Sequence, residues 1–365
     1  MHDTSYEIFE GSDGLTSVGT LWAGFEAVGA DQVFQTFEYA QLWYSAIGAS
    51  IGATPLIVTL REDGKVVGLF PACRVRQFGV PLLTWIGAPR VLDYGDVLFD
   101  PGAATPVEEF VEVSLQRLAQ RAPMALIYLP NVREDARAVA GLHRFLRIFR
   151  ETTAPYVPIV GTWEAFLARR GRDLRKDLSR PLRRLEERGR VEFEMLSARD
   201  PGLEAALQAL VSFQRARFDG AVNRTNLFDD RYVEFRRRQA MGPYGRIAVL
   251  RVDGVPIAAA LGALYRGRYY SVVPGFDHAF AAFSPGVLLK GFVVRTCFEN
   301  GWDPCDFGWG DEPHKYRWTD TETKLTTFVS ADWKGALLSA AATARHRIIE
   351  AADRRRRSSG TARRA

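Results

Sequence analysis

Two stretches of the sequence decide the fold: PLIVTLREDGKVVGLFPACRV at residues 55–75 and GRIAVLRVDGVPIAAALGALYR at residues 245–266. Each stretch consists of an apolar run rich in β-branched residues, an Asp-Gly pair and a second apolar run. This pattern is typical of a β-hairpin with a two-residue turn. Because the two stretches match around their turns, at 63–64 and 253–254, they indicate an internal repeat.

The elements around the two hairpins repeat in the same order. Each copy reads strand, helix, helix, hairpin, strand, helix, strand, and the last helix is PVEEFVEVSLQRLAQR (106–121) or SPGVLLKGFVVRTCFENG (284–301). This alternation predicts an α/β fold in which helices pack on a mixed sheet. We therefore expect an N-terminal domain at 1–155 and a C-terminal domain at 156–345.

The excess of basic residues is confined to the C-terminus. The chain has 48 Lys and Arg against 43 Asp and Glu, a net charge of +5. Residues 353–365 alone hold six Arg and one Asp, so the rest of the chain is neutral and predicts no DNA-binding surface. A segment of like charges with Ser, Gly and Thr cannot pack, and we expect 346–365 to be a disordered tail. Weak contact of this tail with RNA or anionic lipid stays open.

The cysteines indicate whether the protein binds a metal, and the apolar runs indicate where it is located. Cys73, Cys297 and Cys305 are odd in number and have no zinc-site spacing with the five His, so we expect buried thiols and no metal. No apolar run approaches the ~20 residues that span a bilayer, and the N-terminus does not resemble a secretion signal. These features favour a cytoplasmic location.

A basic segment, RRGRDLRKDLSRPLRRLEERGR at 169–190, lies between the two copies. Four leucines at helical spacing predict one apolar stripe, and Pro181 predicts a kink or a restart of the helix. Its arginines form either a solvated face or a surface for the phosphates of a nucleotide sugar, CoA or RNA.

A helix start at Ser284-Pro285-Gly286 is the first candidate site. Ser at the N-cap, Pro at N1 and Gly in the first turn follow a strand directly, and free N–H groups at such a start can bind a pyrophosphate. A plain capped helix would carry the same residues. The candidate donor-binding residues are Ser284, Gly286, Val287, Leu288 and Lys290.

A cluster of charged residues in CDFGWGDEPHKYRWTD (305–320) is the second candidate site. Two glycines at the end of an apolar strand, followed by acids and bases, fit the crevice where α/β proteins bind ligands, although a surface turn would also fit. The candidate general bases are Asp311, Glu312 and His314, and the candidate acid is Tyr316. Asp306, Lys315 and Trp318 are candidate substrate-binding residues, with Lys315 expected to hold a phosphate or carboxylate.

The third candidate site is VLDYGDV at 91–97 in the first copy. Asp93, Tyr94 and Asp96 could bind the hydroxyl or amino groups of an acceptor, or the two Asp could cap backbone amides of a turn. The sequence holds no GxSxG, P-loop, GxGxxG or HExxH motif, so it lacks the usual signatures of hydrolases, NTPases, simple dehydrogenases and zinc peptidases.

The closing motif resembles a known family. DFGWGDEPHKYRW (306–318) is similar to the DFG-x-G-x-E-x-x-K ending of the CelD-like, polysaccharide-associated acetyltransferases of the GNAT superfamily, and the resemblance covers roughly 160–330. The first half resembles more loosely the degenerate GNAT copy of the tandem Fem-type transferases. The resemblance implies two tandem GNAT-like domains, each a mixed twisted sheet flanked by helices.

The resemblance also implies a reaction. It is acyl transfer, most simply from acetyl-CoA without a metal, to an amine or hydroxyl of a cell-envelope or exopolysaccharide precursor. The usual pyrophosphate loop, Q/R-x-x-G-x-G/A, is missing, because AAFSPGVLL (281–289) retains one glycine. Fem-type relatives take an aminoacyl group from tRNA and need no such loop. The alternatives are therefore an aminoacyl-tRNA-dependent transferase and a non-catalytic sugar- or RNA-binding protein on the same fold.

Overall fold

The computed structural model describes residues 3–77, 79–88, 91–218, 229–332 and 335. The basic tail expected at 346–365 lies outside these residues. In the described ranges, no helix combines the length and the apolar character needed to cross a bilayer.

The first copy has the predicted order of elements, with short additions. They are β1 (Thr4–Glu10), α1 (Gly11–Gly29), α2 (Phe37–Trp43), β2 (Thr54–Glu62), β3 (Lys65–Gln77), β4 (Val80–Trp85), β5 (Leu98–Phe99), α3 (Val107–Arg121), β6 (Leu126–Arg133), α4 (Val139–Phe145) and β7 (Leu146–Val157).

The second copy follows after a linking helix, and its strands and helices also keep the predicted order. They are α5 (Trp163–Glu186), β8 (Val191–Leu196), α6 (Leu203–Phe218), α7 (Asp230–Met241), β9 (Gly245–Val252), β10 (Val255–Tyr265), β11 (Arg268–Phe276), α8 (Pro285–Asn300), β12 (Cys305–Asp306), α9 (Pro313–Tyr316) and β13 (Glu322–Ser330).

The two hairpin turns have the geometry that Asp-Gly predicts. Each Asp and each Gly has a positive φ, as a type I′ turn requires. The repeat extends to the contacts of the turns: Asp63 accepts a hydrogen bond from the N–H of Asp3 at 3.0 Å, and Asp253 accepts one from the N–H of Arg190 at 2.8 Å. Each Asp thereby fixes the residue that precedes the first strand of its own copy, which confirms the internal repeat.

The described strands form one mixed sheet in the order β1-β2-β3-β4-β6-β13-β7-β12-β11-β10-β9-β8, with β5 paired to β3. Two pairs are parallel, β4 with β6 and β11 with β12, and each is connected through a helix. The last strand, β13, lies between β6 and β7, so the end of the second copy completes the sheet of the first. The prediction of helices packed on a mixed sheet is confirmed.

Helices cover both faces of the second half of the sheet. On β10, Ala258 and Ala260 pack in the cluster that contains α5 and α8, whereas Ala259 and Leu261 pack in the cluster that contains α6. Because successive residues of a strand point to opposite faces, α6 and α8 lie on opposite sides of the sheet.

The basic helix α5 differs from the prediction in one respect. Its break lies at Gly171, the one described residue inside α5 with non-helical dihedrals, and the helix does not restart at Pro181. Glycine reaches the φ of 88° found there without a clash between Cβ and the backbone. The predicted leucine stripe is confirmed, because the four leucines pack into the core beneath α8: Leu174, Leu178, Leu182 and Leu185.

Candidate active site

A gap opens in the sheet where β11 and β12 separate. These parallel strands pair over only two residues each, 269–270 with 305–306. The chain that leaves β12 then follows β7, because the N–H of Phe307 donates to the carbonyl of Pro155. Strand β11 continues to residue 276 without a strand partner on this side among the described residues. Its edge is therefore open to a ligand that can pair with a strand.

Asp93, from the first copy, lies in this gap. A Cβ atom built on Gly308 would be 3.6 Å from a carboxylate oxygen of Asp93 and 3.6 Å from the carbonyl oxygen of Ser271. The side chain is partly exposed. Burial raises the pKa of Asp93 to about 7, and Arg236 opposes part of this rise. A carboxyl group with this pKa can take up and release a proton near neutral pH.

Tyr94 and Asp306 form a buried contact between the two copies. The Tyr94 hydroxyl donates to Oδ1 of Asp306 at 2.6 Å, and the N–H of Gly308 donates to the same oxygen at 2.8 Å. Oδ2 of Asp306 is 3.7 Å from the guanidinium of Arg133. Burial raises the pKa of Asp306. Since both side chains are almost fully buried, this geometry favours a structural role over the predicted substrate contacts.

Asp96 fixes a turn in the first copy. Its carboxylate accepts hydrogen bonds from the N–H groups of Val97, Arg137 and Ala138 at 2.8–3.0 Å. Burial raises the pKa of Asp96 to about 6, while these backbone bonds oppose the rise. Of the two alternatives for this carboxylate, the contacts favour the capping of backbone amides.

Lys315 organises the loop that follows β12. Its Nζ donates to the carbonyls of Gly308, Trp309 and Gly310 at 3.1, 2.7 and 3.1 Å, and it lies 2.9 Å from Glu312. An ammonium group has three donors, and these three carbonyls together with the Glu312 carboxylate already engage all of them. The contacts therefore favour a role in holding the loop over the predicted binding of a phosphate or carboxylate.

The three predicted bases of this loop differ in their surroundings. Asp311, Glu312 and His314 are all exposed. Partial burial alone would raise the pKa of Glu312, but the hydrogen bond and charge of Lys315, a backbone hydrogen bond and the charge of His314 together hold that pKa below its usual range. Burial and the charge of Lys290 lower the pKa of His314, which is consequently neutral near pH 7. Glu312 is thus a weak base, and His314 can accept a proton but has none to give.

The chain contains a segment that matches a known domain. Residues 172–316 match the model of the acetyltransferase (GNAT) domain. This segment is similar to a GNAT acetyltransferase domain. The match extends from the basic helix α5 to the loop beneath Asp93 and includes the gap between β11 and β12. The chain is accordingly an acyltransferase.

Solved structures show the same fold along most of the chain. FemX superimposes with a TM-score of 0.59 at 13% identity, covering 84% of this chain and 95% of that one. A conserved protein of unknown function from Bacteroides thetaiotaomicron gives a TM-score of 0.56 at 10% identity, covering 86% of this chain and 97% of that one. No curated protein matches. The predicted fold, a GNAT-like mixed sheet flanked by helices, is confirmed.

Helix α8 of the GNAT domain begins beside the basic helix. Ser284 stands at the N-cap and Pro285 follows it, as predicted, but Ser284 has a left-handed φ of 50° and its side chain makes no capping hydrogen bond. A Cβ on Gly286 would meet Phe276 at 3.5 Å, which is an ordinary contact. The side chain of Leu288 is buried and Val287 packs against the same core, and the N–H groups of both residues donate to the carbonyl of Ser284. Arg184 of α5 donates to the carbonyl of Ala282, close to this helix start.

Lys290 of α8 lies beneath the loop after β12. Its Nζ is 4.5 Å from the centre of the Phe307 ring. Burial lowers the pKa of Lys290 to about 8. The ammonium group is therefore ready to give up a proton near neutral pH, which a lysine in water is not.

Two further predicted residues point away from the gap. Trp318 is 1% exposed and packs in the core near Gly291, which does not favour contact with a substrate. The hydroxyl of Tyr316 lies 2.9 Å from Thr153 and donates to Glu322. Burial and this bond to Glu322 raise the pKa of Tyr316. The hydroxyl proton of Tyr316 is therefore already engaged in a hydrogen bond to the carboxylate of Glu322.

Arg236 was not singled out by the sequence analysis. It lies in α7, donates to the amide oxygen of Gln239 at 2.8 Å and is close enough to Asp93 to influence the pKa of that carboxyl. The segment DRYVEFRRRQA contains four arginines, and nothing in its pattern distinguishes one of them from the others.

The described residues contain no group of three or more His, Cys, Asp or Glu that could hold a metal ion.

Proposed function

We propose that the chain transfers an acyl group from acyl-CoA, most simply acetyl-CoA, to an amine, with Asp93 as the general base. The observation that carries this proposal is a partly exposed carboxyl group, with a pKa of about 7, in the gap between β11 and β12. Amine acceptors are protonated in water at neutral pH, and a base with a pKa near the working pH is the most effective one.

The reaction balances without a covalent enzyme intermediate. Asp93 removes one proton from the ammonium group of the acceptor, the neutral nitrogen bonds to the thioester carbonyl carbon, the carbon–sulfur bond breaks, and the second proton that the nitrogen loses passes to solvent. The free edge of β11 offers backbone N–H groups to the donor. The leaving thiolate needs a proton, and we assign it to Lys290 rather than Tyr316, because the Tyr316 hydroxyl is bound to Glu322.

The donor phosphates are proposed to lie at the start of α8. The N–H groups of Val287 and Leu288 donate to the carbonyl of Ser284, and the helix dipole and the N–H of Gly286 favour negative charge at this end. Arg184 adds positive charge beside this helix start. Gly286→Asp should weaken acetyl-CoA binding at least tenfold, whereas Gly286→Ala, which fits beside Phe276, should not. Equal affinities in the two variants would contradict this placement.

The proposed acceptor is an amine of a small molecule or of a cell-envelope or exopolysaccharide precursor. This proposal is supported by the resemblance to the CelD-like acetyltransferases.

A cytoplasmic location is proposed because three free cysteines are buried, which fits a reducing compartment. The division into domains at 1–155 and 156–345 and the contact of the tail with RNA or anionic lipid are likewise proposals.

A second candidate function is the transfer of an aminoacyl group from tRNA, which is the alternative that the Fem-like resemblance implies. The observation that favours it is the exposed face of α5, where Arg172, Arg175, Lys176 and Arg180 have no carboxylate partner among the described residues. Such a face attracts phosphates, and its binding to RNA would weaken steeply with salt.

A thermal-shift experiment separates the two functions. A ligand that binds only the native state raises the melting temperature. We expect acetyl-CoA to raise it and deacylated or aminoacylated tRNA to leave it unchanged at 150 mM salt. A rise with aminoacyl-tRNA and none with acetyl-CoA would support the Fem-like function and reject the first proposal.

A further inference from the structure

An apolar cavity lies on the α6 face of the sheet, opposite α8. Its walls come from α6, α7, β10 and β11, and most of them are aliphatic: Leu207, Leu210, Val211, Leu261 and Val273. Polar side chains at its lining come from Gln214, Tyr232 and Arg236. Because the start of α8 lies on the other face, a donor whose phosphates bind there would reach this cavity only through the gap at Asp93.

The size of the cavity limits what it can hold. It measures about 80 Å³. An engineered apolar cavity of ~150 Å³ binds benzene. A space about half as large fits a branched aliphatic group of the size of a valine or leucine side chain, and it is too small for an aromatic ring or a long acyl chain.

Arg236 connects the cavity with Asp93. It lines the cavity, it is partly exposed, and its Nη1 donates to Gln239 at 2.8 Å. A guanidinium carries five donors in a planar fork that matches a carboxylate. An anionic group at Arg236 would therefore lie at the wall of the cavity, and the charge of Arg236 also acts on Asp93.

We infer that the acceptor is a free aliphatic α-amino acid. Its amine faces Asp93, its carboxylate binds Arg236 and its side chain enters the cavity. An amino sugar has no aliphatic group for the cavity, and an acyl chain has no charge for Arg236. This inference rests on the proposed acyl transfer to an amine and narrows the acceptor to its small-molecule alternative. In the transfer, the amine nitrogen bonds to the acyl carbon, its proton passes to Asp93, and CoA leaves as the thiol.

Calorimetry without donor tests the binding site directly. We expect L-leucine to bind at least tenfold more tightly than L-leucinamide, which lacks the carboxylate, and L-phenylalanine and glucosamine to bind more weakly still. Arg236→Met should abolish the preference for leucine over leucinamide, while its helix neighbour Arg237→Met, a matched control, should keep it. Arg237 pairs with Glu204 and Glu234 and does not line the cavity.

A second variant tests the cavity itself. Val211→Phe fills the space from α6 and should weaken L-leucine at least tenfold but L-alanine less than twofold. Equal affinity for leucine and leucinamide, or no binding of leucine by the folded protein, would overturn the inference. So would an affinity for acyl-CoA that rises with acyl-chain length and falls in Val211→Phe, because the cavity would then belong to the donor.

The two proposals fail in distinguishable ways. If acetyl-CoA raises the melting temperature but leucine does not bind, the amino-acid site is wrong and acyl transfer stands. If leucine binds with the expected pattern but neither acetyl-CoA nor acetyl transfer to leucine is detected, the site stands and the proposed reaction is rejected.

Discussion

Replacing Asp93 with Asn should make the protein less active and more stable at the same time. Burial raises the pKa of Asp93 from 3.8 to about 7. Each pKa unit corresponds to about 1.4 kcal/mol between the two protonation states. The charged carboxylate therefore lowers the free energy of unfolding by up to ~4 kcal/mol above pH 7, an upper bound because the side chain is partly exposed.

The sign of this effect sets its pH dependence. Below pH 3.8 Asp93 is protonated in the folded and in the unfolded chain, so it does not change stability. Between pH 4 and pH 7 the unfolded chain loses the proton and the folded one keeps it, so the wild type loses stability as the pH rises. The Asn variant has no such loss. The difference in urea unfolding free energy should therefore grow from pH 4 to pH 7 and level off above it.

The activity of the Asp93→Asn variant should fall, although its stability rises. A general base contributes roughly 10² to 10⁴-fold in rate, so kcat of Asp93→Asn should fall by about that range, and the limb of the pH–rate profile near pH 7 should vanish. Glu312→Gln is the matched control, because the Glu312 carboxylate is exposed and paired with Lys315. If Glu312→Gln loses this activity and Asp93→Asn does not, the base lies in the loop after β12 and the reasoning is refuted.

Three further predictions follow from the contacts of the site and the composition of the chain. Lys315→Met should destabilise the protein by at least ~3 kcal/mol in chemical denaturation, because three carbonyls lose a charged donor; a smaller loss would mean that the loop relaxes. Tyr94→Phe should cost ~1–3 kcal/mol, since Asp306 stays buried without that donor, and an unchanged unfolding curve would contradict the role of this bond. Truncation after residue 352 should leave turnover on a small acceptor unchanged, because the removed segment has no apolar anchor.

The fold was largely readable from the sequence because its signals are local. An Asp-Gly pair between two apolar runs determines a type I′ turn by the φ angles it permits, whatever lies around it. The leucine stripe of α5 was readable for the same reason, since helical spacing alone assigns the residues to one face. The break at Gly171 was missed because Pro181 is the stronger helix breaker in isolation, and Pro181 is tolerated within α5.

The site was less readable because its chemistry depends on distant partners. Lys315 looked like an anion-binding residue, yet its partners are backbone carbonyls that leave no trace in the sequence. Asp93 and Asp96 occur three residues apart in the same turn. Asp93 is partly exposed in the gap between β11 and β12, whereas the carboxylate of Asp96 accepts hydrogen bonds from backbone amides. Only the packing of the first copy against the second separates their roles.

The position of β13 has a consequence for how the protein is made. Residues 126–133 and 146–157 leave the ribosome early, but the strand that joins them, 322–330, begins 189 residues after the end of the first and 165 residues after the end of the second. Until then β6 and β7 present unpaired edges, which favour aggregation, and the closure of so long a loop slows folding. The nascent first half should therefore need protection by a chaperone until the last strand emerges.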